Sequence, residues 1–363
     1  MSWRLYSAKS PFRNCPDTSA VSSPRTYLDH AATTPLRPEA RAAMEEGFAL
    51  WANPSSPHAE GRRAKAALED ARARVKAALD WDGEVIFTSG ASEAAALAVS
   101  ASCKPLTAMG AMEHDALRRF AGGDVAQWSV KGDTASLDDP PDGALGGLVA
   151  VQHVNSEIGT ICDAAPIREA VYAQGGWWLA DCAQSAGKLP LPPADMAILA
   201  AHKCGGPIGI GALLLRDFAM LKPVGGHERG YRRGTENLPA VMGMAAALEA
   251  DREWYERAVS LRRTLDAGVL AAGGQIVAES TPRIATIGAY RKPARPATAQ
   301  LIRLDAAGIA VSAGSACSSG TLKPSHVLSA MNYPHPEEVV RVSLGWTSEA
   351  KDVDRFLTAW SAL

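Results

Sequence analysis

This chain of 363 residues lacks paired cysteines, an excess of charge of one sign, and any long apolar run. Its six cysteines stand singly, without the CxxC spacing typical of zinc sites and dithiol redox motifs, and no secretory signal is recognisable. We therefore expect reduced thiols in a cytoplasmic protein. Lys and Arg number 37 against 39 Asp and Glu, so neither nucleic acid nor an anionic membrane is an expected partner. No segment approaches the roughly 20 apolar residues that span a bilayer.

The first 25 residues differ in composition from the rest of the chain. They are rich in Ser and Pro and carry four basic residues against the single acid Asp17. This composition is typical of transit peptides, but no clear amphipathic helix accompanies it. We expect residues 1–25 to form a flexible leader without a catalytic role. A misassigned start of the chain explains the same composition.

Strand-like and helix-like segments alternate along the remaining sequence. The Ala-rich, charged stretch 60–79 predicts a surface helix, and 163–174 predicts another. Short apolar runs predict buried strands at 84–88, 147–152, 176–181, 195–201 and 211–216. This alternation is typical of an α/β fold with a mostly parallel sheet covered by helices.

A long helix or pair of helices over 238–271 then leads to a smaller α+β unit. The Pro-rich stretch 291–296 in this unit predicts a turn or an exposed loop. The predicted strands of the unit are 284–288, 309–312 and 339–344, and its predicted helices are 297–306, 325–331 and 348–361. A length of 363 residues fits two such units around one active site.

Two polar residues at predicted strand ends indicate pyridoxal-type chemistry. Lys203 follows an apolar strand and precedes a Gly-rich run, where poor solvation would lower its pKa and make it a competent Schiff-base amine. Asp181 ends another strand, and a carboxylate there can keep a pyridinium nitrogen protonated. Gln184 could donate to the phenolic oxygen of such a cofactor. The alternatives are a lysine that points to water and an aspartate that caps a helix.

Two small-residue stretches supply a candidate anion site and a candidate nucleophile. In TSGASEA at 88–94, Gly90 permits close approach, and the N–H groups of Ala91 and Ser92 can bind phosphate at a helix start. In SAGSACSSG at 312–320, Cys317 has no large neighbours to pack against, which predicts an exposed, reactive thiol. An ordinary helix start and an incidental cysteine in a linker remain the alternatives.

Together these stretches resemble one family. From Tyr27 to about Ser348 the sequence resembles the cysteine desulfurases of the class V aminotransferase group, which are fold-type I pyridoxal-phosphate enzymes. The GSAC motif is similar to the branch with the longer cysteine loop. The matching stretches are YLDHAATTPLRPE (27–39), NPSSPH (53–58), FTSGASEA (87–94), EHDAL (113–117), QHVNSEIGT (152–160), DCAQSAGKLP (181–190), AHKCGGPIGIGAL (201–213), GGHERGYRRGTEN (225–237), GSACSSGTLKPSHVLSAM (314–331) and RVSLG (341–345).

The resemblance implies an architecture and a set of residues around the cofactor ring. A large pyridoxal-phosphate domain spans 36–256, and a small domain combines 26–35 with 257–363. Lys203 forms the Schiff base and Asp181 pairs with the pyridinium nitrogen. His114 stacks on the ring and shuttles protons. Asn155 and Gln184 contact the region of the ring oxygen.

The resemblance also implies phosphate, substrate and sulfur-accepting residues. Arg341 makes a bidentate contact with the substrate carboxylate, and Asn53 lies beside it. Cys317 attacks the sulfur of L-cysteine, which leaves alanine and an enzyme persulfide. The phosphate is held by Ala91, Ser92 and His202, and by Thr235 from the second subunit of a homodimer. A protein such as an iron–sulfur scaffold or a thiolation protein then accepts the sulfur.

The sequence departs from the family pattern at a few positions. Ala200 and Ala201 stand where a Ser-Gly pair commonly precedes the His-Lys, so a hydroxyl donor to the phosphate is missing. Cys182 and Ala183 replace the usual residues inside the Asp-x-x-Gln motif. We interpret Cys182 and Cys204 as buried spectators. The stretch 285–300 is shorter than in many relatives, which predicts a trimmed small domain.

Two other functions stay open from the sequence. The same scaffold hosts selenocysteine lyases and aminotransferases acting on small amino acids, although a plain transaminase needs no exposed Cys317. A cofactor-poor scaffold that serves as a binding partner would explain Ala200, but it would not explain why Lys203 and Asp181 are retained.

Overall fold

The computed structural model describes residues 25–132, 134–314 and 324–363. Within these residues a seven-stranded sheet has the order β2-β8-β7-β6-β5-β3-β4. Its strands are β2 (Glu84–Thr88), β3 (Leu106–Gly110), β4 (Ala126–Trp128), β5 (Leu148–Ala150), β6 (Trp177–Asp181), β7 (Met196–Ala200) and β8 (Gly211–Leu215). Neighbours from β7 to β4 pair parallel, whereas β8 runs antiparallel to both β2 and β7. The predicted mostly parallel sheet is confirmed.

Helices cover both faces of this sheet because its strands are apolar on both sides. Successive strand residues point to opposite faces. Val85 and Phe87 therefore pack into the core on one face, and Ile86 packs into the core on the other. The first face is covered by α1 (Pro38–Ala49), α2 (Ala59–Leu79), α5 (Ala164–Ala173) and α6 (Leu238–Glu249), and the second by α3 (Ala91–Ser100) and α4 (Asp115–Arg118).

A second sheet is built from the C-terminal third of the chain. It is antiparallel, with the order β12-β10-β9. Its strands are β9 (Gln275–Ile276), β10 (Ile287–Arg291) and β12 (Val339–Ser343). Separately, β1 (Thr26–Tyr27) pairs parallel with β11 (Ile309–Ala310). The helices of this region are α7 (Glu253–Ala271), α8 (Ala297–Ala306), α9 (His326–Ala330) and α10 (Ala350–Ser361).

Long-range contacts explain where the elements differ from the predicted ones. The strand predicted at 284–288 is found at Ile287–Arg291, because Arg283 and Ile284 pair with the turn at 159–161 instead. The helical stretch 238–271 is two helices, since Ala250 between them is extended. Strands β3 and β4 were not predicted, because LTAMG and AQW carry few β-branched residues.

The division into domains at 36–256 and at 26–35 with 257–363 stays a prediction. Most of the leader predicted for residues 1–25 lies outside the described residues. Among the residues that are described, no helix is both long and apolar enough to cross a membrane.

Candidate active site

A pocket of about 400 Å³ opens where the carboxyl ends of β6 and β7 meet the start of α3. Open α/β sheets bind their ligands at this edge, because the loops leaving parallel strands diverge there. Seven of the predicted site residues line the pocket: Ala91, Ser92, His114, Asp181, Gln184, His202 and Lys203. Ala183 and Ala200, two of the positions that depart from the family pattern, line it as well.

Lys203 leaves the end of β7 in a short 3-10 turn, Ala201–Lys203. Its Nζ donates to two backbone carbonyls, 2.5 Å from the oxygen of Ala31 and 2.8 Å from that of Ala32. These carbonyls lie just after β1 in sequence. The amine is therefore held inside the pocket by backbone contacts, and no carboxylate of the described residues is hydrogen-bonded to it.

The surroundings of Lys203 make it a reactive amine. Burial, together with the positive charges of Arg341 and Lys188, lowers its pKa to about 7, while Asp29 and Asp181 oppose the shift. A lysine with this pKa is substantially neutral near pH 7, which is what nucleophilic attack on a carbonyl requires. A lowered pKa favours the Schiff-base chemistry predicted for Lys203, and that role stays a prediction.

Asp181 ends β6 with its side chain in the pocket. Its Oδ1 accepts a hydrogen bond from the N–H of Ala183 at 2.9 Å, so it caps the following turn and lines the pocket at once. Burial raises its pKa, and the nearby His114, the Ala183 N–H and Lys203 oppose that rise. A buried carboxyl group of this kind is well suited to a protonated ring nitrogen, which would supply the cation it lacks.

The start of α3 offers unpaired backbone donors to the pocket. Its N-cap, Gly90, has a φ of +150°, a region that favours glycine, and no side chain caps the helix. Within the part of the chain that the structure describes, no hydrogen bond uses the N–H groups of Ala91 and Ser92. A Cβ on Gly211 would lie 2.8 Å from the Cα of Gly90, so β8 passes this turn only as glycine. Such a helix start favours an anion.

His202 lines the same pocket as this helix start. One ring nitrogen, Nδ1, is 3.2 Å from Oγ1 of Thr33. Burial lowers the pKa of His202 to about 4, with contributions from the charges of Lys203 and Lys188. The ring is therefore neutral at physiological pH and can offer a hydrogen bond, but no charge, to a phosphate.

Gln184 and Asn155, the residues predicted near the ring oxygen, differ in the hydrogen bonds that they make. The Gln184 side chain donates to the Ala31 carbonyl at 2.9 Å, and its Oε1 is buried without a partner among the described residues. The Asn155 oxygen accepts from the N–H groups of Glu157 and Ile158. Asn155 thus shapes its own turn and does not line the pocket, so its contact with a ring stays a prediction.

His114 caps α4 and faces the pocket. Its Nδ1 accepts the N–H of Ala116 at 3.1 Å, which leaves Nε2 to carry the proton of the neutral ring. Nε2 has no hydrogen bond among the described residues, so it is the atom that can exchange a proton with a bound molecule.

Arg341 in β12 is held by a residue that the sequence reasoning did not single out. Its Nη2 lies 2.9 Å from Oδ1 of Asp29, and its Nη1 donates to the Ser156 carbonyl at 3.0 Å. Its Nε is buried and unpaired in the described part of the chain. Asp29 lies inside the YLDHAATT stretch, so the resemblance was the one available signal for it.

Lys188 is a second lysine that was not predicted. Its Nζ donates to the Gln184 carbonyl at 3.1 Å, and burial lowers its pKa to about 8. It contributes to the lowered pKa values of His30, His202 and Lys203. Its only signal in the sequence was its place in the DCAQSAGKLP stretch.

Two predicted residues besides Asn155 and Arg341 are absent from the pocket lining. Asn53 and Thr235 are both exposed and do not line it. They belong to neighbouring segments of one surface, because Ser55 Oγ lies 3.4 Å from Nδ1 of His227, which pairs with Glu236 at 3.0 Å. Neither residue contributes to the pocket of its own chain.

Cys317 lies outside the described residues, but the chain on both sides of it is described. Upstream, Ser312 and Arg341 exchange backbone hydrogen bonds of 3.1 and 2.6 Å. Downstream, Ser325 donates to Glu157 at 2.5 Å, and His326 lies 2.9 Å from the carbonyl oxygen of Glu113. The upstream flank is therefore held at Arg341, and the downstream flank is held at Glu113, the residue before His114.

The interpretation of Cys182 and Cys204 as buried thiols agrees with their surroundings. Cys182 is fully buried and Cys204 is 9% exposed. Burial raises the pKa of both thiols, with Asp181 adding to the shift at Cys182. Thiols with raised pKa values are poor nucleophiles near neutral pH.

Comparison with known proteins gives one family. The model of the Aminotransferase class-V family matches residues 26–356. A cysteine desulfurase of Rhodobacter capsulatus is 35% identical, over 93% of this chain and 96% of that protein. One from Cereibacter sphaeroides is 34% identical, over 92% and 94%. An IscS-like cysteine desulfurase of Mycobacterium tuberculosis is 34% identical, over 91% and 94%.

Solved structures show the same architecture. A NifS-like protein from Rickettsia africae is 26% identical and superimposes with a TM-score of 0.83, covering 93% of this chain and 99% of that one. DndA from Streptomyces lividans is 30% identical with a TM-score of 0.69, covering 88% of this chain and 99% of that one. The pocket described above therefore lies in a fold that these proteins share.

Proposed function

This chain belongs to the class-V aminotransferase family, and we propose that it is a cysteine desulfurase that converts L-cysteine to L-alanine and retains the sulfur as a persulfide. The observation that carries the chemistry is the buried amine of Lys203, with its pKa lowered to about 7, in the same pocket as Asp181 and an uncapped helix start. The cysteine desulfurases that resemble it over nine-tenths of its length support the choice of substrate.

The pocket fits pyridoxal phosphate, the cofactor that the family implies. The free N–H groups of Ala91 and Ser92 suit its phosphate, Asp181 suits its ring nitrogen, and Lys203 suits its aldehyde. The unpaired Oε1 of Gln184 marks a further polar contact that the protein itself leaves unfilled. When bound, the cofactor would withdraw electrons from the α-carbon of the amino acid.

We propose that Arg341 binds the carboxylate of cysteine. Its guanidinium is positioned by Asp29 and Ser156, and its buried Nε has no partner among the described residues. A guanidinium that is oriented in advance loses little freedom when a carboxylate arrives. The backbone pairing of Arg341 with Ser312 also brings the chain that leads to Cys317 to this position.

Cys317 is the proposed nucleophile. Its thiolate attacks the substrate sulfur, a sulfur–sulfur bond forms, and the carbon–sulfur bond breaks with its electron pair left on carbon. Protonation of that carbon gives alanine, so cysteine and the enzyme thiol become alanine and the enzyme persulfide without an external oxidant. Lys203 moves the α-proton, and the Nε2–H of His114 can donate a hydrogen bond to the attacking thiolate.

The enzyme is proposed to act as a homodimer in which Thr235 of the partner subunit completes the phosphate site. Three large apolar side chains support this: Phe48 is 65% exposed, Trp51 80% and Ile208 77%. Their neighbours Gly47 and Pro207 pack against the first turns of α6, directly after Thr235. A second copy would cover this apolar surface. Thr235, which does not line the pocket of its own chain, would then reach the pocket of the other copy.

The final acceptor of the sulfur is proposed to be a protein, such as an iron–sulfur scaffold or a thiolation protein, in the cytoplasm. The unpaired state of the four cysteines within the described residues supports a reducing compartment. The sequence around Cys317 supports protein-to-protein transfer, because its Gly- and Ser-rich composition predicts a thiol that a partner can reach.

Cys317→Ser tests this function directly. The variant should keep the visible absorbance of lysine-bound pyridoxal phosphate but form no alanine from cysteine. Mass spectrometry of the unmodified enzyme after incubation with cysteine should find a persulfide on Cys317. Cys103→Ser, which removes an exposed thiol, serves as the control and should behave as the unmodified enzyme. Alanine formation by Cys317→Ser at the normal rate would contradict the proposal.

A further inference from the structure

An ion pair joins the start of α3 to the segment that carries Thr235. Glu93, in the first turn of α3, lines the pocket. Its Oε1 lies 3.3 Å from Nε of Arg232, whose side chain is 13% exposed. The other carboxylate oxygen of Glu93 accepts the N–H of Ser89. Arg232 is therefore connected, through one carboxylate, to the turn whose N–H groups face the pocket.

The same guanidinium reaches the backbone of Thr235. Nη1 of Arg232 donates to the Thr235 carbonyl at 3.4 Å. A planar guanidinium has five donors in a fixed arrangement, so it can hold Glu93 and Thr235 in one relative position. An ammonium group on a flexible stem could pair with Glu93 but would not fix both contacts.

A second, buried ion pair makes this segment rigid. Glu228 is 4% exposed and accepts from Arg72 at 2.7 and 3.0 Å. It also accepts a hydrogen bond of 2.9 Å from the N–H of Phe87 in β2, the strand that precedes the start of α3. Glu228 and Arg229 have φ values of +49° and +56°, in the left-handed region that side chains rarely adopt. Such strain persists only where the surroundings hold it in place.

Arg232 also compensates the negative charge of Glu93. Burial opposes ionisation of Glu93, but the Ser89 hydrogen bonds and the Arg232 charge outweigh it and lower the pKa of this carboxyl. A carboxylate in the pocket would repel a phosphate at the start of α3. Arg232 offsets that charge, so its removal would leave an uncompensated anion beside the phosphate site.

We propose that Arg232 is a positioning residue that serves two cofactor sites, its own through Glu93 and the partner subunit's through Thr235. The proposal rests on the proposed function, because it requires a dimer in which Thr235 crosses to the other site. Arg232 does not touch the substrate. In its own site Arg232 affects cofactor binding through the position and charge of Glu93 at the start of α3. In the partner subunit's site it affects cofactor binding through the position of Thr235.

Mixed dimers separate the two effects. Each dimer contains one Lys203→Ala subunit, so that the visible absorbance of lysine-bound pyridoxal phosphate reports a single site. Arg232→Gln is placed first in the subunit that keeps Lys203, and then in the subunit that carries Lys203→Ala. The dissociation constant of pyridoxal phosphate should rise about tenfold in both arrangements, the loss expected for one contact to a charged group.

Two further variants make the result specific. Arg233→Gln removes a neighbouring exposed arginine that has no ion pair among the described residues, and it should leave the constant unchanged in both arrangements. Arg232→Lys keeps a charge for Glu93 but lacks the second arm for Thr235. It should restore affinity in the first arrangement to within about threefold, and less in the second. If Arg232→Gln subunits do not accumulate, this difference decides the question.

The outcomes distinguish this inference from the proposed function. An effect of Arg232→Gln in only one arrangement, or in neither, overturns the double role of Arg232. Thr235→Ala in the Lys203→Ala subunit is the reference for the dimer itself. If that variant leaves the other site unaffected, or if the chain is monomeric, the proposed crossing of Thr235 fails as well.

Discussion

Nζ of Lys203 lies 2.5 Å from the carbonyl oxygen of Ala31, and the side chain of Gln184 donates to the same oxygen. The carbonyl belongs to the segment that follows β1, more than 170 residues before the lysine in sequence. The amine of Lys203 is thus held by the segment after β1, the strand that pairs with β11. The strand that precedes Lys203, β7, belongs to the seven-stranded sheet. Burial and the positive charges of Arg341 and Lys188 lower the pKa of Lys203, and no carboxylate of the described residues is hydrogen-bonded to the amine to oppose that shift.

The reactivity of Lys203 should follow its lowered pKa. In protein freed of cofactor, labelling of Lys203 by acetic anhydride, measured by mass spectrometry over a pH series, should reach half its maximum near pH 7. Below that pH the amine is protonated and unreactive, and above it the amine is neutral. A midpoint near pH 10 would show that the amine is solvated and would contradict this prediction.

Lys188→Met should move that midpoint upward. The substitution removes a positive charge that lowers the pKa of Lys203, so the protonated amine becomes easier to form. Burial is the larger cause and remains, so the midpoint should stay below that of an exposed lysine. Lys351→Met, on the exposed side of α10, is the control and should not shift the labelling curve.

Local patterns predicted the residues whose position depends on their own strand. Lys203 and Asp181 follow apolar runs, and parallel strands bring such ends to one edge, so their convergence followed from the α/β pattern. Asp29 could not be found this way, because its contact with Arg341 depends on a bridge between Asp29 and Ser343 far along the chain. For Asn53 and Thr235, which do not line the pocket, the resemblance was the only source.

Ala200→Ser should tighten the binding of pyridoxal phosphate. Ala200 lines the pocket at the end of β7, and a hydroxyl there could donate to the phosphate beside the uncapped helix start. A hydrogen bond to a charged group is worth about 1.5–3 kcal/mol, so the dissociation constant should fall roughly tenfold or more. Fluorescence titration of cofactor-free protein measures it.

Ala201→Ser is the matched control for that substitution. Ala201 is fully buried and does not line the pocket, so its hydroxyl should bring no gain in affinity. Equal tightening by both variants, or no change with Ala200→Ser, would show that the hydroxyl at position 200 does not reach the phosphate.

Arg341→Lys should weaken the binding of cysteine more than it slows turnover. Lysine cannot keep the contacts with Asp29 and Ser156 while it offers two parallel donors to a carboxylate. The KM for cysteine should rise about tenfold or more, with a smaller change in kcat. Arg263→Lys, exposed on α7, should leave both constants unchanged. A fall in kcat at constant KM would instead assign Arg341 to the chemical step.

Glu228→Gln should destabilise the fold through the buried charge that it leaves on Arg72. The two side chains are 1% and 5% exposed, and the loss of one partner of such a pair costs about 3 kcal/mol. Glu69, at 3.2 Å, remains as a half-exposed second partner of Arg72 and limits the loss. The midpoint of thermal unfolding should fall by several degrees.

The double variant Arg72→Met with Glu228→Gln removes the unpaired charge, so its midpoint should lie above that of Glu228→Gln alone. If the double variant is the less stable one, the cost does not arise from the unpaired charge, and the pair stabilises the segment before Thr235 by its hydrogen bonds instead.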